Sequence, residues 1–547
     1  MRIYEILAKM FAREQVDTCF ALLGDANMNW ASSMVASGVH FVYVRDEHCA
    51  VAAAMSHARK TGNVAVATVT CGPGVTQIMT ALPAAVRAKI PLVIFAGEAP
   101  LKSAWYNQEI DQSPLIEACG AAYVALHDVD SMPLAVRDGF ARARSECRPI
   151  VLGVPMDLQN QSATGDPVYP VPSCDLNPAS QKIPPDAGDI EHAVSLINDA
   201  RNVIVLAGLG VVASDAESAC RTLAEQTGAL LATTLPARGL FHDDPFSIGI
   251  AGGFSTEFAR ECFDQVDLVV AVGTRLAQHN TDGGKLIPAE KVLHIDIDPQ
   301  ELCQGRVAAQ FRLRADALLG ISALLAKLPA HRNPQNAFRS EHVAREIRDR
   351  PADSAHFGIE EGMLDPREVV SVLDDVLPRD WEMVNSSGHC SYFFAQMPRR
   401  PQQCFFTLRE FGAIGNGIAF AMGVSSARPQ SPVVLFDGDG SLLMHIQELE
   451  TIRRHDMPIL ICVMNDGAYG SEIHKLRAEG LPDHGAVFGR PDFAAIAQGF
   501  GIDAYRITDL NQLGARVEQF ASSGKAQLWD FHVSDKVVSP VVRRSHH

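Results

Sequence analysis

The length of 547 residues corresponds to about three or four domains, and 47% hydrophobic with 20% charged residues is an ordinary globular balance. A formal net charge of −17 excludes a protein that meets nucleic-acid phosphates with an overall basic face. The 12 cysteines form no CxxC pair and no zinc spacing, and no apolar run approaches the ~18 residues of a membrane span. Scattered cysteines of this kind read as small buried side chains in a reducing compartment, so the expected location is the cytoplasm.

The opening stretch, MRIYEILAKMFAREQ, predicts an amphipathic helix interrupted by charges rather than a secretory signal. Beyond it, FVYVRD, VAVATVT and PLVIFAG read as buried parallel strands. A proline-rich stretch at 166–186 then predicts a linker. VIVLAGLG, LLATTL, LVVAVGT and VLHIDIDP are the strands of the next third, and AGLGVV at 207–212 reads as a glycine turn, weak as a dinucleotide fingerprint. A second proline-rich stretch, 328–358, holds one short helical pattern. The last third carries MVNSSG, VVLFDGDG, ILICVMND and LWDFHV. Apolar runs of this length, bounded by Gly or Asp and separated by helices, predict three doubly wound α/β domains with parallel sheets at 1–165, 187–328 and 358–547.

The most informative stretch is VLFDGDGSLLMHIQELETIRRHDMPILICVMNDGAYG, residues 434–470. Asp439 and Asp466 each close a strand-like run, 27 residues apart, which is room for one right-handed strand–helix–strand crossover. Ligands of open parallel sheets bind beyond the carboxyl ends of the strands. Two carboxylates there, with a backbone carbonyl, make a hard oxygen site suited to Mg²⁺. Gly438 and Gly440 allow close backbone approach, and a helix beginning near Ser441 would turn free N–H groups to an anion. The expected chemistry is a metal-bridged diphosphate site.

GDGS followed by QELETIRRHDMPI and MNDGAYG resembles the signature of the thiamine diphosphate-dependent enzymes. In that family the two acidic or amide positions and a carbonyl hold Mg²⁺, which implies Asp439, Asp466 and Ala468 here, with Gly438, Gly440, Ser441, Tyr469 and Gly470 around the diphosphate. Asp466 stands where many members have Asn, which adds one negative charge. The resemblance spans the chain in the order pyrimidine-binding, central Rossmann-like and diphosphate-binding domain. VRDEHCAVAAAMSHARKTG is similar to the pyrimidine domain's glutamate helix, TCGPGVTQIMTAL to its GPG segment, and FGAIGNGIAFAMG to the segment under the cofactor bend.

The roles implied follow from the cofactor's chemistry. Its aminopyrimidine acts as a base only in the imino form, which a carboxyl group at the ring nitrogen favours; Glu47 matches that position. Ile414 matches the bulky aliphatic residue that enforces the V shape, and Gly388 with His389, in SSGH, matches a loop at the diphosphate. In the family the cofactor lies between two subunits, so a homodimer or homotetramer with sites at the interface is expected.

The branch of the family is read from scattered features. FALLGDANMNW is similar to the GDxNL pattern of pyruvate decarboxylases, which makes Asp25 a proton-transfer candidate, and Glu472 falls where that group keeps a catalytic glutamate. The decarboxylase histidine pair is missing. YNQEIDQSPLIEACG resembles the FQE segment of acetolactate synthase large subunits, so Gln108 could contact substrate or cofactor, and PARGLFHDDPFSIGIAGGF follows the synthase pattern. GTRLAQHNTDGG lacks the run of the flavin-binding synthases, which argues against FAD, and SEIHKLRAEGLPD lacks their acceptor-selecting QW pair. The expected function is decarboxylation of a 2-oxo acid with carboligation of the fragment. The alternatives are a nonoxidative decarboxylase that releases an aldehyde and a catalytically silent thiamine-binding subunit.

Overall fold

The computed structural model describes residues 1–176, 182–298, 305–329 and 338–545. Among them are three six-stranded sheets, parallel throughout. The first contains β1 (Thr18–Ala21), β2 (His40–Tyr43), β3 (Ala65–Val69), β4 (Leu92–Glu98), β5 (Ala122–Ala125) and β6 (Pro149–Pro155), in the order β2-β1-β3-β4-β6-β5. The second contains β7 (Val203–Ala207), β8 (Leu230–Thr233), β9 (Ser247–Ile250), β10 (Leu268–Val272), β11 (Val292–Asp296) and β12 (Phe311–Arg314), in the order β12-β11-β10-β7-β8-β9. The third contains β13 (Glu382–Asn385), β14 (Phe405–Thr407), β15 (Val433–Gly438), β16 (Ile459–Asn465), β17 (Asp503–Ile507) and β18 (Gln527–His532), in the order β14-β13-β15-β16-β18-β17.

The outer two sheets therefore share one topology, with the order reversing between β1 and β3 and between β13 and β15. The middle sheet has the two-halves order of a Rossmann fold. The α/β class with three doubly wound sheets is what the alternating pattern predicts. The central strands are buried on both faces, as continuous apolar runs require. The glycine turn after β7 is a packing contact: a Cβ on Gly208 or Gly210 would come within 2.2 or 2.5 Å of Gly273 backbone.

The N-terminal helix, Ile3–Arg13, forms as the sequence predicts and buries Ile3, Ile6, Leu7, Met10 and Phe11. Residues 177–181 and 330–337 of the two proline-rich stretches lie outside the described residues. The first stretch is tied to the N-terminal unit where Ser173 N–H donates to Glu14 Oε1 at 2.8 Å. The second includes the helix Glu341–Asp349. Among the described residues, no helix is long and apolar enough to cross a membrane.

The first and third sheets meet through two helices, Glu47–Thr61 and Gly417–Ala427. Both are rich in small residues, and their backbones nearly touch. A Cβ on Gly423 would lie 2.0 Å from the Ala53 carbonyl oxygen, and Ser56 Oγ donates across the crossing to the Phe420 carbonyl at 2.9 Å. One apolar core runs through this crossing from Phe20 to Leu528. The buried ion pair Lys60–Glu382, at 2.5 Å, holds the far end of the helix pair.

Candidate active site

The third sheet places its chemistry at its switch point. β15 ends in Gly438, which caps a short helix running Asp439–Met444, so the helix begins two residues before the expected Ser441. The reason is local: Gly438 takes the extended capping conformation, leaving Asp439 as the first helical residue. The neighbouring strand β16 ends in Asn465, which puts Asp466 beside Asp439. Gly467 N–H donates to Asp439 Oδ2 at 2.7 Å, and Ala468 N–H donates to Asp466 Oδ1 at 3.2 Å. Burial, then the charge of Asp466, pushes the Asp439 carboxyl far above its usual range; burial does the same to Asp466.

Across the switch point, the turn after β13 supplies the opposite wall. Ser386 Oγ and Ser441 Oγ are 2.9 Å apart, and Ser441 Oγ also accepts from Gly415 N–H at 2.9 Å. Gly388 has φ +110°, and among the described residues beyond its chain neighbours the only atom within 4 Å of its Cβ position is Ile414 Cγ2 at 4.0 Å, which leaves open space between this turn and the half-buried Ile414. His389 Nε2 accepts from Ser539 N–H at 2.9 Å. Burial and the neighbouring His474 hold this imidazole neutral, so its proton is on Nδ1, and Nδ1 lies 3.1 Å from the Cβ position of Gly470. The ring thus offers an N–H toward the Asp466–Gly470 turn. A Cβ on Gly440 would strike the Tyr469 ring at 2.7 Å, and a Cβ on Gly470 would meet Asp466 Oδ2 at 2.7 Å. The half-exposed Tyr469 ring packs edge-on against Phe488, and Ala468 is buried.

Asp437 is the residue that sequence reasoning passed over. It is wholly buried, accepts from Gly438 N–H through Oδ1 at 2.9 Å, and sits beside the Ser386 and Ser441 hydroxyls. Burial raises its carboxyl to about 7. The doubled acidic pattern DGDG carried the signal, but only packing shows that Asp437 is buried along with Asp439 and faces the Ser386 and Ser441 hydroxyls.

The first sheet gathers a second set at its own switch point. Asp25 follows β1, and Cys71 and Gly72 follow β3. Gly72 has φ +60°, and its Cβ position is 2.2 Å from the Gln108 carbonyl oxygen, so the 106–112 segment lies directly on the glycine turn. Glu47 starts the Glu47–Thr61 helix, capped by Asp46, whose side chain accepts from His48 N–H. Its Oε1 is 3.4 Å from the Cβ position of Gly74. Burial and then Asp46 raise its carboxyl above the usual range.

The two edges connect at the N-terminal ends of the crossing helices. His48 Nε2 and Asn416 Oδ1 are 2.5 Å apart, His48 stacks on His445 at 4.9 Å, and His445 Nδ1 meets the Gly415 carbonyl at 2.8 Å. No spacing rule in the sequence points to this histidine pair. Glu472 is not gathered in. It is exposed on the first turn of the Gly470–Ala478 helix, with Lys475 at 3.9 Å.

The residues present fit a diphosphate held through a divalent cation. Two buried carboxylates resist ionisation together, which a cation would relieve, and the Gly388 space and the His389 Nδ1–H suit an anionic group. Two like-folded parallel sheets with polar switch points, joined through a Rossmann-like sheet, define a multidomain α/β enzyme built around a phosphate-bearing cofactor.

Comparison with known proteins agrees. Residues 1–115 match the N-terminal TPP binding domain of thiamine pyrophosphate enzymes, 190–324 their central domain, and 386–531 their C-terminal TPP binding domain. The probable acetolactate synthase 2 of Oryza sativa subsp. japonica is 30% identical, over 96% of this chain and 82% of that protein. The acetolactate synthase isozyme 2 large subunit of Escherichia coli (strain K12) is 28% identical, over 95% and 93%. The probable acetolactate synthase large subunit of Methanocaldococcus jannaschii is 26% identical, over 99% and 93%. The chain belongs to the thiamine pyrophosphate enzymes, in their acetolactate synthase-like group of carboligases and decarboxylases.

Proposed function

We propose that this enzyme decarboxylates a 2-oxo acid and joins the remaining fragment to an acceptor, using thiamine diphosphate held through Mg²⁺. The observation that carries the reading is the buried carboxylate pair Asp439 and Asp466 at the ends of adjacent strands beside a switch point. Asp439, Asp466 and the Ala468 carbonyl would hold the cation. Gly438, Gly440, Ser441, Tyr469 and Gly470 would line the diphosphate, with Gly388 leaving it space and His389 donating from Nδ1. Ile414 would stand under the bend. When bound, thiamine diphosphate supplies a carbon nucleophile for the 2-oxo carbonyl and an electron sink for the departing CO₂.

The chain's own residues do the rest. Glu47, whose acid form is favoured by burial, holds and shares a proton with the pyrimidine ring nitrogen. Gln108 presents an amide to the substrate. A division into units at 1–165, 187–328 and 358–547 gives each sheet its own unit. Exposed apolar side chains flank both edges, among them Leu23, Trp105 (74% exposed) and Ile110 on one side and Leu481 and Phe488 on the other. A second copy of the chain would cover them, so the active form is a homodimer or homotetramer with sites between subunits. The location that suits this chemistry and these free thiols is the cytoplasm.

A second reading, release of an aldehyde, is favoured by Asp25, which lies on the same edge as Gln108 and could deliver a proton. Asp25 and Glu472 are both exposed in the single chain, and both stand as proton-donor candidates in that reading. The deciding experiment offers pyruvate, 2-oxobutyrate and benzoylformate to the purified protein with Mg²⁺ and thiamine diphosphate. CO₂ with a carboligated product is expected. A free aldehyde alone would favour the second reading, and no CO₂ from any acid would overturn both.

A further inference from the structure

The segment 106–112 is clamped to the glycine turn at two points. Gln112 Oε1 accepts from Gly72 N–H at 3.0 Å, and the Gln108 backbone abuts Gly72. Between these points the Gln108 side chain is held by two donors. Cys71 Sγ–H and the Tyr106 hydroxyl each donate to Gln108 Oε1, at 3.5 Å. Burial first, then the Cys71 thiol and the Asp25 charge nearby, raise the Tyr106 phenol above its usual range. The phenol has one hydrogen, and the hydrogen bond it makes is the one to the Gln108 carbonyl. Among the described residues, no acceptor takes the Gln108 Nε2 hydrogens.

A carboxamide can present either edge, and what faces its oxygen decides which. Donors on Oε1 leave the N–H edge free. A 2-oxo acid carries only acceptors on its carboxylate and carbonyl, so an N–H edge binds it and a carbonyl edge repels it. We propose that Tyr106, aided by Cys71, is a positioning residue that fixes the Gln108 carboxamide with its N–H edge free to receive the carboxylate of a 2-oxo acid. This rests on the reading of the first sheet's edge as the substrate side.

The test measures binding of oxamate, a 2-oxo acid analogue that cannot lose CO₂, to the full-length protein loaded with Mg²⁺ and thiamine diphosphate. By calorimetry, Gln108→Ala weakens oxamate about tenfold or more, as loss of a hydrogen bond to a charged group does. Tyr106→Phe weakens it several-fold, and the double variant binds no worse than Gln108→Ala alone. Cys71→Ser keeps near wild-type binding, whereas Cys71→Ala loses part of it. Thiamine diphosphate affinity stays the same in every variant, which separates positioning from general damage. Unchanged oxamate affinity in Tyr106→Phe, multiplying effects in the double variant, or no oxamate binding by the wild type would each overturn the assignment. CO₂ release by the wild type is scored separately. Its absence removes the proposed function, while the binding cycle still decides the role of Tyr106.

Discussion

Replacing Asp466 by Asn should raise the melting temperature of the metal-free protein above pH 7. The Asp466 carboxyl is raised from 3.8 to about 7, chiefly by burial. A raised carboxyl binds more protons folded than unfolded, so metal-free stability falls as pH climbs from about 4 to about 7 and then levels off. About three units at ~1.4 kcal/mol each give an upper figure of ~4 kcal/mol. Because relaxation and water penetration soften a burial penalty in the unfilled site, about half of it, ~2 kcal/mol, is the working expectation. The amide keeps an oxygen to accept from Ala468 N–H, so the substitution removes charge and retains that contact. In a unit of this size ~2 kcal/mol moves the midpoint by about 4–8 °C. Scanning fluorimetry in EDTA from pH 5 to pH 8 would read it. The gain should be largest at pH 8 and about a third of that at pH 5. Saturating Mg²⁺ should reverse the order, because the wild type brings one more charge to the cation. A metal-free variant no more stable than wild type at pH 8, or a gain independent of pH, would refute the reasoning.

Two further expectations rest on other parts of the molecule. Glu47→Gln should cut turnover by at least about 10²-fold while leaving thiamine diphosphate affinity within a few-fold, measured by steady-state rates and cofactor titration; normal turnover would sink the role given to Glu47. Gly423→Ala should destabilise the protein by about 1–3 kcal/mol in urea unfolding, since the new methyl would fall 2.0 Å from the Ala53 carbonyl oxygen. Unchanged stability would mean that the helix crossing is looser than described.

Much of the fold is legible in the chain because both-face-buried strands leave continuous apolar runs. β3, β7, β10, β15 and β16 are such runs. Of the 18 strands among the described residues, seven are absent from the sequence reading, and five of these, β5, β9, β12, β14 and β17, lie at a sheet edge or end. Edge strands have a neighbour on one side only and are covered less completely, as the mixed burial of Asp503–Ile507 shows, so they lack a continuous apolar run and resemble loops in one dimension. The helix start at Asp439 was misplaced by two residues because a glycine cap depends on backbone conformation, which residue type alone does not specify.

By itself the sequence determined that Asp439 and Asp466 would meet. One crossover between parallel strands has one favoured hand, and 27 residues is enough chain to make it. It also determined the family, through motifs whose residue types the cofactor's chemistry demands. Tertiary structure alone decided which way the side chains face. It turned Asp437 into the core and Glu472 out to Lys475, left the proton of His389 on Nδ1, and set Tyr106 and Cys71 on the oxygen of Gln108. Those outcomes depend on contacts between segments far apart in the chain. Spacing brings a residue to an edge, but burial and the partners waiting there set its charge and its aim.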